Sequence, residues 1–166
     1  MTVLGIDPGL RHTGWCVIDS AGKPLDRGVI IPPGRGRIQP HEVLEYVLPL
    51  LRDVIHRYHP DLSVVEQVTW YGRGRRITLP LAHVAGGIAC FVVASGIPVY
   101  LLLANQKTFV CRKRGWSEHE KDAFVLATVV QRYINAWNAG DPSIRRKRLA
   151  VGRRKISAVR TVHGTA

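Results

Sequence analysis

The chain is poor in acids. Its 166 residues hold 12 Asp and Glu against 24 Lys and Arg, a net charge of +12, which points to a polyanionic partner more readily than to a small neutral substrate. Nucleic acid is the leading expectation. Cysteine is scarce too: Cys16, Cys90 and Cys111 are odd in number, widely spaced and free of any Cys-x-x-Cys or His-Cys cluster. That argues against a disulfide framework and a structural zinc site, and leaves three expected core thiols. No apolar run is long enough to span a bilayer and the basic residues form no amphipathic stripe, so no membrane partner is expected. Met1-Thr2 runs straight into an apolar strand without a charged segment and signal stretch, and the expected setting is a reducing cytoplasm. What is plentiful is hydrophobic residues, at 46%, enough for the core of one domain.

Read along the chain, Val3 to Ile6, Gly14 to Ile18 and Arg27 to Ile31 predict three strands. The turn signal Ser20-Ala21-Gly22-Lys23-Pro24 separates the last two, as in an antiparallel meander. A basic loop, Pro32 to Arg37, precedes Val43, Val47, Leu50, Leu51, Val54 and Ile55, whose spacing predicts a helix ending at His59-Pro60. Leu62 to Val65 predicts a strand that delivers Glu66. A Gly/Arg loop over Gly72 to Arg76 then leads to a helix expected to open near Pro80 and run to about Ala94, followed by a strand over Ile97 to Leu103. Ser117, Glu118 and Glu120 stand in the order of a helix N-terminus, and that helix should reach about Trp137. Beyond it Arg145, Arg146, Lys147, Arg148, Arg153, Arg154, Lys155 and Arg160 crowd the sequence, so the expected organisation is a domain over residues 1–138 and a basic tail over 139–166.

Chemistry is concentrated in three acids. Asp7 ends an apolar run where a charge is normally avoided, and Pro8-Gly9 stops the strand so that the carboxylate faces the cleft beyond. A metal or phosphate site is one reading of it and an Asx-Pro-Gly turn cap is the other. Glu66 repeats the strand-terminal arrangement, and Asp122, near the start of the last helix, shares a face with His119 three residues earlier. Three carboxylates brought together repel one another unless divalent cations neutralise them, and hard oxygen ligands favour Mg2+, with Mn2+ able to substitute. On a basic surface this combination implies metal-assisted phosphodiester hydrolysis.

At these residues the chain resembles the RuvC-type Holliday-junction resolvases of the ribonuclease H-like superfamily. The resemblance rests on Gly5-Ile6-Asp7-Pro8-Gly9 with Thr13-Gly14, on Val64-Val65-Glu66-Gln67-Val68, and on His119 with Asp122-Ala123, and it covers roughly residues 3 to 130. It implies an α/β fold with a mixed five-stranded sheet flanked by helices, and a homodimer making paired nicks across a four-way DNA junction. It also implies Asp7, Glu66 and Asp122 as metal ligands, with His119 as a further ligand or general base. Lys107 falls near a family lysine that approaches the scissile phosphate. The stretch from Glu66 to Asp122 is shorter than in typical bacterial members, so either a helix is missing or Lys121 is the family lysine before the last carboxylate; the apolar continuation Ala123 to Ala127 favours Asp122. Thr69 stands where the family has a wedging aromatic, which leaves Trp70 and Tyr71 as neighbouring substitutes.

The plainer alternatives stay open at this point. His119 caps or hydrogen-bonds at a helix start in one reading, with Glu118 as reserve ligand, and Glu120 is expected to be a solvated first-turn residue. Trp70 and Tyr71, beside Arg73, Arg75 and Arg76, are expected to meet DNA rather than the core. Lys107 is either a phosphate contact or simply solvated. Arg145, Arg146, Lys147 and Arg148 are expected to touch phosphates without sequence preference, a solubilising tail being the alternative. The rival functions are a ribonuclease H-like nuclease acting on RNA or an RNA:DNA hybrid, and a junction-binding protein without catalysis.

Overall fold

The computed structural model describes residues 1–34, 36, 38–68, 75–107 and 109–141, with the side chains of 75–78 left out. Three strands open the chain, β1 (Val3–Asp7), β2 (Thr13–Ile18) and β3 (Pro24–Ile30), followed by α1 (Pro40–Tyr58) and β4 (Leu62–Gln67). Then come α2 (Arg75–Ala94), β5 (Val99–Leu103), a single 3-10 turn (Ala104–Gln106) and α3 (Glu118–Asn138). The strands form one mixed sheet in the order β3-β2-β1-β4-β5, antiparallel from β1 to β3 and parallel from β1 through β4 to β5. Between β5 and α3 the described residues form no helix longer than that 3-10 turn.

Strand alternation decides which side chains meet which helix. Leu4 and Ile6 of β1, Val17 of β2 and Val65 of β4 join Val43, Val47 and Leu51 of α1 and Val84, Ile88 and Val92 of α2 in one core. Val3, Cys16, Ile18, Leu62 and Val64 join Ala123, Leu126, Ala127 and Val130 of α3 in the other. The central strands are therefore buried on both faces, which is why β1 and β4 read as near-continuous apolar runs. The same alternation puts Gly5 and Asp7 on the α3 side with Val3, and Glu66 there with Leu62 and Val64. In the parallel β1–β4 ladder Gly5 faces Val64 and Ile6 faces Val65, so the two acids follow as neighbours at the ends of their strands.

Element ends differ from the sequence reading for identifiable reasons. β3 starts at Pro24, not Arg27, because it is an edge strand where a missing N–H is tolerated. α2 starts at Arg75 and takes Pro80 into its interior, as α1 takes Pro49; the apolar contacts of Val84, Ile88 and Val92 outweigh the lost hydrogen bond. β5 starts at Val99 because Ile97 is used to end α2: Gly96 adopts φ +82° and the Ile97 N–H donates to the Val92 carbonyl at 3.3 Å. Leu50 and Cys90 are exposed rather than in the core, while Cys16 and Cys111 are buried thiols. Among the described residues no helix is long and apolar enough to cross a membrane.

Candidate metal centre

Two glycines seat α3 directly on the sheet. A Cβ at Gly5 would lie 2.0 Å from the Ala123 carbonyl oxygen, and one at Gly14 would lie 2.2 Å from that of His119. Only glycine permits this approach, which brings the first turns of α3 against the ends of β1 and β2. The helix itself is fixed by a capping box, in which Ser117 Oγ accepts from the Glu120 N–H at 3.1 Å and Glu120 Oε2 accepts from the Ser117 N–H at 2.7 Å.

The result is a carboxylate cluster. Asp7, Glu66 and Asp122 each offer an oxygen, and all three oxygens lie within 4.8 Å of one another. Opposite ligands of an octahedral Mg2+ are separated by roughly 4 Å, twice the metal–oxygen bond, so a small closure would suit such an ion. Asp7 is buried, and its pKa is pushed up to about 8, first by desolvation, then by its hydrogen bond to Glu66 and that residue's negative charge. A carboxyl held protonated near neutrality marks a shortage of positive charge, which a divalent cation would supply. The all-oxygen donor set suits magnesium or manganese.

Lys107 lies among the acids instead of facing solvent. Its Nζ donates to Glu66 Oε2 at 2.8 Å and approaches Asp122 Oδ2 at 3.0 Å. Burial pulls its pKa down, and the hydrogen bonds to the two carboxylates more than reverse this, leaving it raised. His119 Nδ1 lies 2.8 Å from Asp7 Oδ2, and its ring stacks on His12. Glu118, the reserve ligand, points away: it is mostly exposed and pairs with Lys121 at 2.7 Å. Lys121 therefore faces Glu118 and Asp122 occupies the cluster. Glu120 is not solvated as expected, because its Oε1 pairs with Arg27 at 3.3 Å while the Arg27 guanidinium lies over Trp116. Trp70, Tyr71, Arg73, Arg145, Arg146, Lys147 and Arg148 lie outside the described residues, as do the side chains of Arg75 and Arg76. Sequence reasoning missed His12, which no charge or periodicity marks; its one signal is its place in the tight turn after Gly9.

Removing Lys107 has a measurable consequence. In Lys107→Ala, Glu66 and Asp122 are left facing each other without a cation, and the metal-free protein should lose about 1–2 kcal/mol, a few degrees in Tm, after allowance for the partial exposure of Asp122. Added Mg2+ should raise the melting temperature more in the variant than in the parent. Equal Mg2+ shifts in thermal melts would show that Lys107 does not offset the acids.

A 3-2-1-4-5 mixed sheet with acids at the ends of β1 and β4 and on the last helix is the architecture of the ribonuclease H-like class. A family model described as crossover junction endodeoxyribonuclease RuvC matches residues 3–140, and the chain belongs to that family. It is 34% identical over 110 residues to the RuvC of Bordetella avium, covering 64% of this chain and 59% of that protein. With the Rhizobium rhizogenes RuvC it shares 40% over 101 residues, 58% of this chain and 57% of the relative. The aligned stretch thus spans under two thirds of these relatives. The fold is similar to that of Thermus thermophilus RuvC in complex with a Holliday junction substrate, with a TM-score of 0.71 at 21% identity over 82% of this chain and 96% of that one. The yeast mitochondrial Holliday junction resolvase gives a TM-score of 0.55 at 12% identity, over 87% and 85% of the two chains.

Proposed function

We propose that this chain is a magnesium-dependent DNA endonuclease that resolves four-way junctions by paired symmetric nicks. The observation that carries the reading is the set of three carboxylates from β1, β4 and α3 within 4.8 Å in a chain of net charge +12. Family membership and the junction held by the Thermus relative support the choice of substrate. Asp7, Glu66 and Asp122 would hold the ions, which when bound supply water activation and stabilise the leaving oxygen. His119, with Nδ1 turned to Asp7, keeps Nε2 for the proton of an attacking water. Lys107 Nζ is a positive charge beside the same carboxylates, suited to a phosphate oxygen. Two opposed nicks in a two-fold junction call for a homodimer, and the cytoplasm is the matching compartment. The test is competition: four-way DNA should be cut in preference to an RNA:DNA hybrid when both are present with Mg2+. Preference for the hybrid would move the chain to the ribonuclease rival, and tight junction binding without cleavage would make it a binding protein.

Residues 1–138 form the proposed nuclease domain and residues 139–166 the basic tail, with Arg145, Arg146, Lys147 and Arg148 on phosphates. Deleting 142–166 should weaken binding to all DNA forms alike and flatten the salt dependence by about 0.9 per lost phosphate contact. An unchanged slope in salt titrations would remove the tail from the DNA interface. Arg73, Arg75 and Arg76 are proposed to hold the backbone near the junction centre while Trp70 or Tyr71 stacks on an unpaired base. Alanine at either aromatic should cost roughly 1–3 kcal/mol of stacking on fully paired junctions, and junctions opened at the crossover should restore cleavage. If paired and opened junctions respond alike, neither ring is the wedge.

A further inference from the structure

The turn between β1 and β2 is built more tightly than a loop connection requires. Thr13, fully buried, donates from Oγ1 to the Gly9 carbonyl at 3.3 Å, and the Gly9 N–H lies 3.4 Å from the same hydroxyl. A Cβ at Gly9 would stand 2.1 Å from the His12 carbonyl oxygen, so the turn closes only around glycine. The backbone of His12 is thereby fixed on one side, and Gly14, against the His119 carbonyl, fixes the first turn of α3 on the other. Between these two clamps the His12 and His119 rings stack, with centroids 5.3 Å apart and planes within 12°.

We propose that His12 is a positioning residue that holds the His119 ring in the one orientation that sets Nδ1 on Asp7. The proposal rests on the role given to His119 above. The χ2 torsion of histidine has a broad, roughly two-fold preference, and a ring flip would put a carbon where Nδ1 meets Asp7 Oδ2. The His119 side chain is 41% exposed, so the protein interior alone does not lock it. His12 covers one face of the ring and opposes the swing that a flip requires. Any flat ring at position 12 would serve, because stacking rather than proton exchange does the holding.

The test uses the full chain with His12→Ala and His12→Phe, single-turnover cleavage of a four-way junction at saturating Mg2+, junction binding, and NMR of the His119 ring nitrogens. His12→Ala should cut about 10- to 100-fold more slowly with junction binding unchanged, and the His119 signals should show a mixture in place of one fixed tautomer. His12→Phe should restore most of the rate and the single set of signals. Parental rate and signals in His12→Ala would overturn the proposal, and so would equal slowing of both variants with unchanged His119 signals, which would mean that His12 itself touches the DNA. If the parent cuts no junction, the functional reading fails by itself. The His119 signals then still decide: altered in His12→Ala they support positioning, unaltered they overturn it.

Discussion

Asp7→Asn should bind a four-way junction as tightly as the parent and cut it about a thousandfold more slowly or worse. Losing one anionic ligand would remove several kcal/mol of the transition-state stabilisation that a bound cation would provide, while the basic residues proposed to contact DNA are untouched. Glu66→Gln and Asp122→Asn should behave in the same way, since their oxygens share the 4.8 Å cluster. Asp7→Asn has a second consequence that separates it from simple damage. In the metal-free protein the Asp7 carboxyl is held protonated up to about pH 8 by burial and by Glu66, whereas in the unfolded chain it ionises near pH 4. The folded state thus binds the extra proton, and stability contributed at low pH is lost as pH rises from about 4 to about 8. Asparagine removes that loss, so melts in chelator should show Asp7→Asn at least as stable as the parent at pH 8, and Mg2+ should stabilise only the parent appreciably. Parental cleavage by Asp122→Asn would displace the assigned helix carboxylate.

The second large effect comes from residues that touch no substrate. Gly5→Ala places a methyl 2.0 Å from a backbone oxygen of α3 that has no flexible end to move, and the whole helix must lift from β1. The expected loss is about 3 kcal/mol or more in urea unfolding, at the upper end of overpacking costs. Gly14→Ala strikes nearer the end of the helix, at His119, where the first turn can tilt. That variant should fold, yet a displacement near 1 Å at His119 should cost about 100-fold in cleavage. If both variants unfold and cut as the parent does, the close seat of α3 is not what assembles the centre.

The site was legible wherever a residue broke a local rule. Asp7 and Glu66 are charges at the ends of apolar runs, and Ser117 with Glu120 is a capping pair, so strands, helix start and acids could be read together. Position in the sheet supplied what patterns could not. Pro24 reads as a strand breaker until β3 is known to be an edge, and Pro80 reads as a helix start until Val84, Ile88 and Val92 are seen to hold a longer helix. Lys107 read as either a phosphate contact or a solvated lysine because its partners are 41 residues upstream and 15 downstream, and only the packing of β4 against β5 and α3 brings them to it. Glu120 looked solvated for the same reason, its partner Arg27 lying on a strand far earlier in the chain.

Paired resolution is tested by labelling each of the four strands of a junction in turn and mapping the breaks made by the full chain with Mg2+ and with chelator. The expected result is one nick at the same position in each of two opposed strands, with none in chelator. A junction that is bound and left whole in Mg2+, or nicked in the parent and in Asp7→Asn alike, would contradict it.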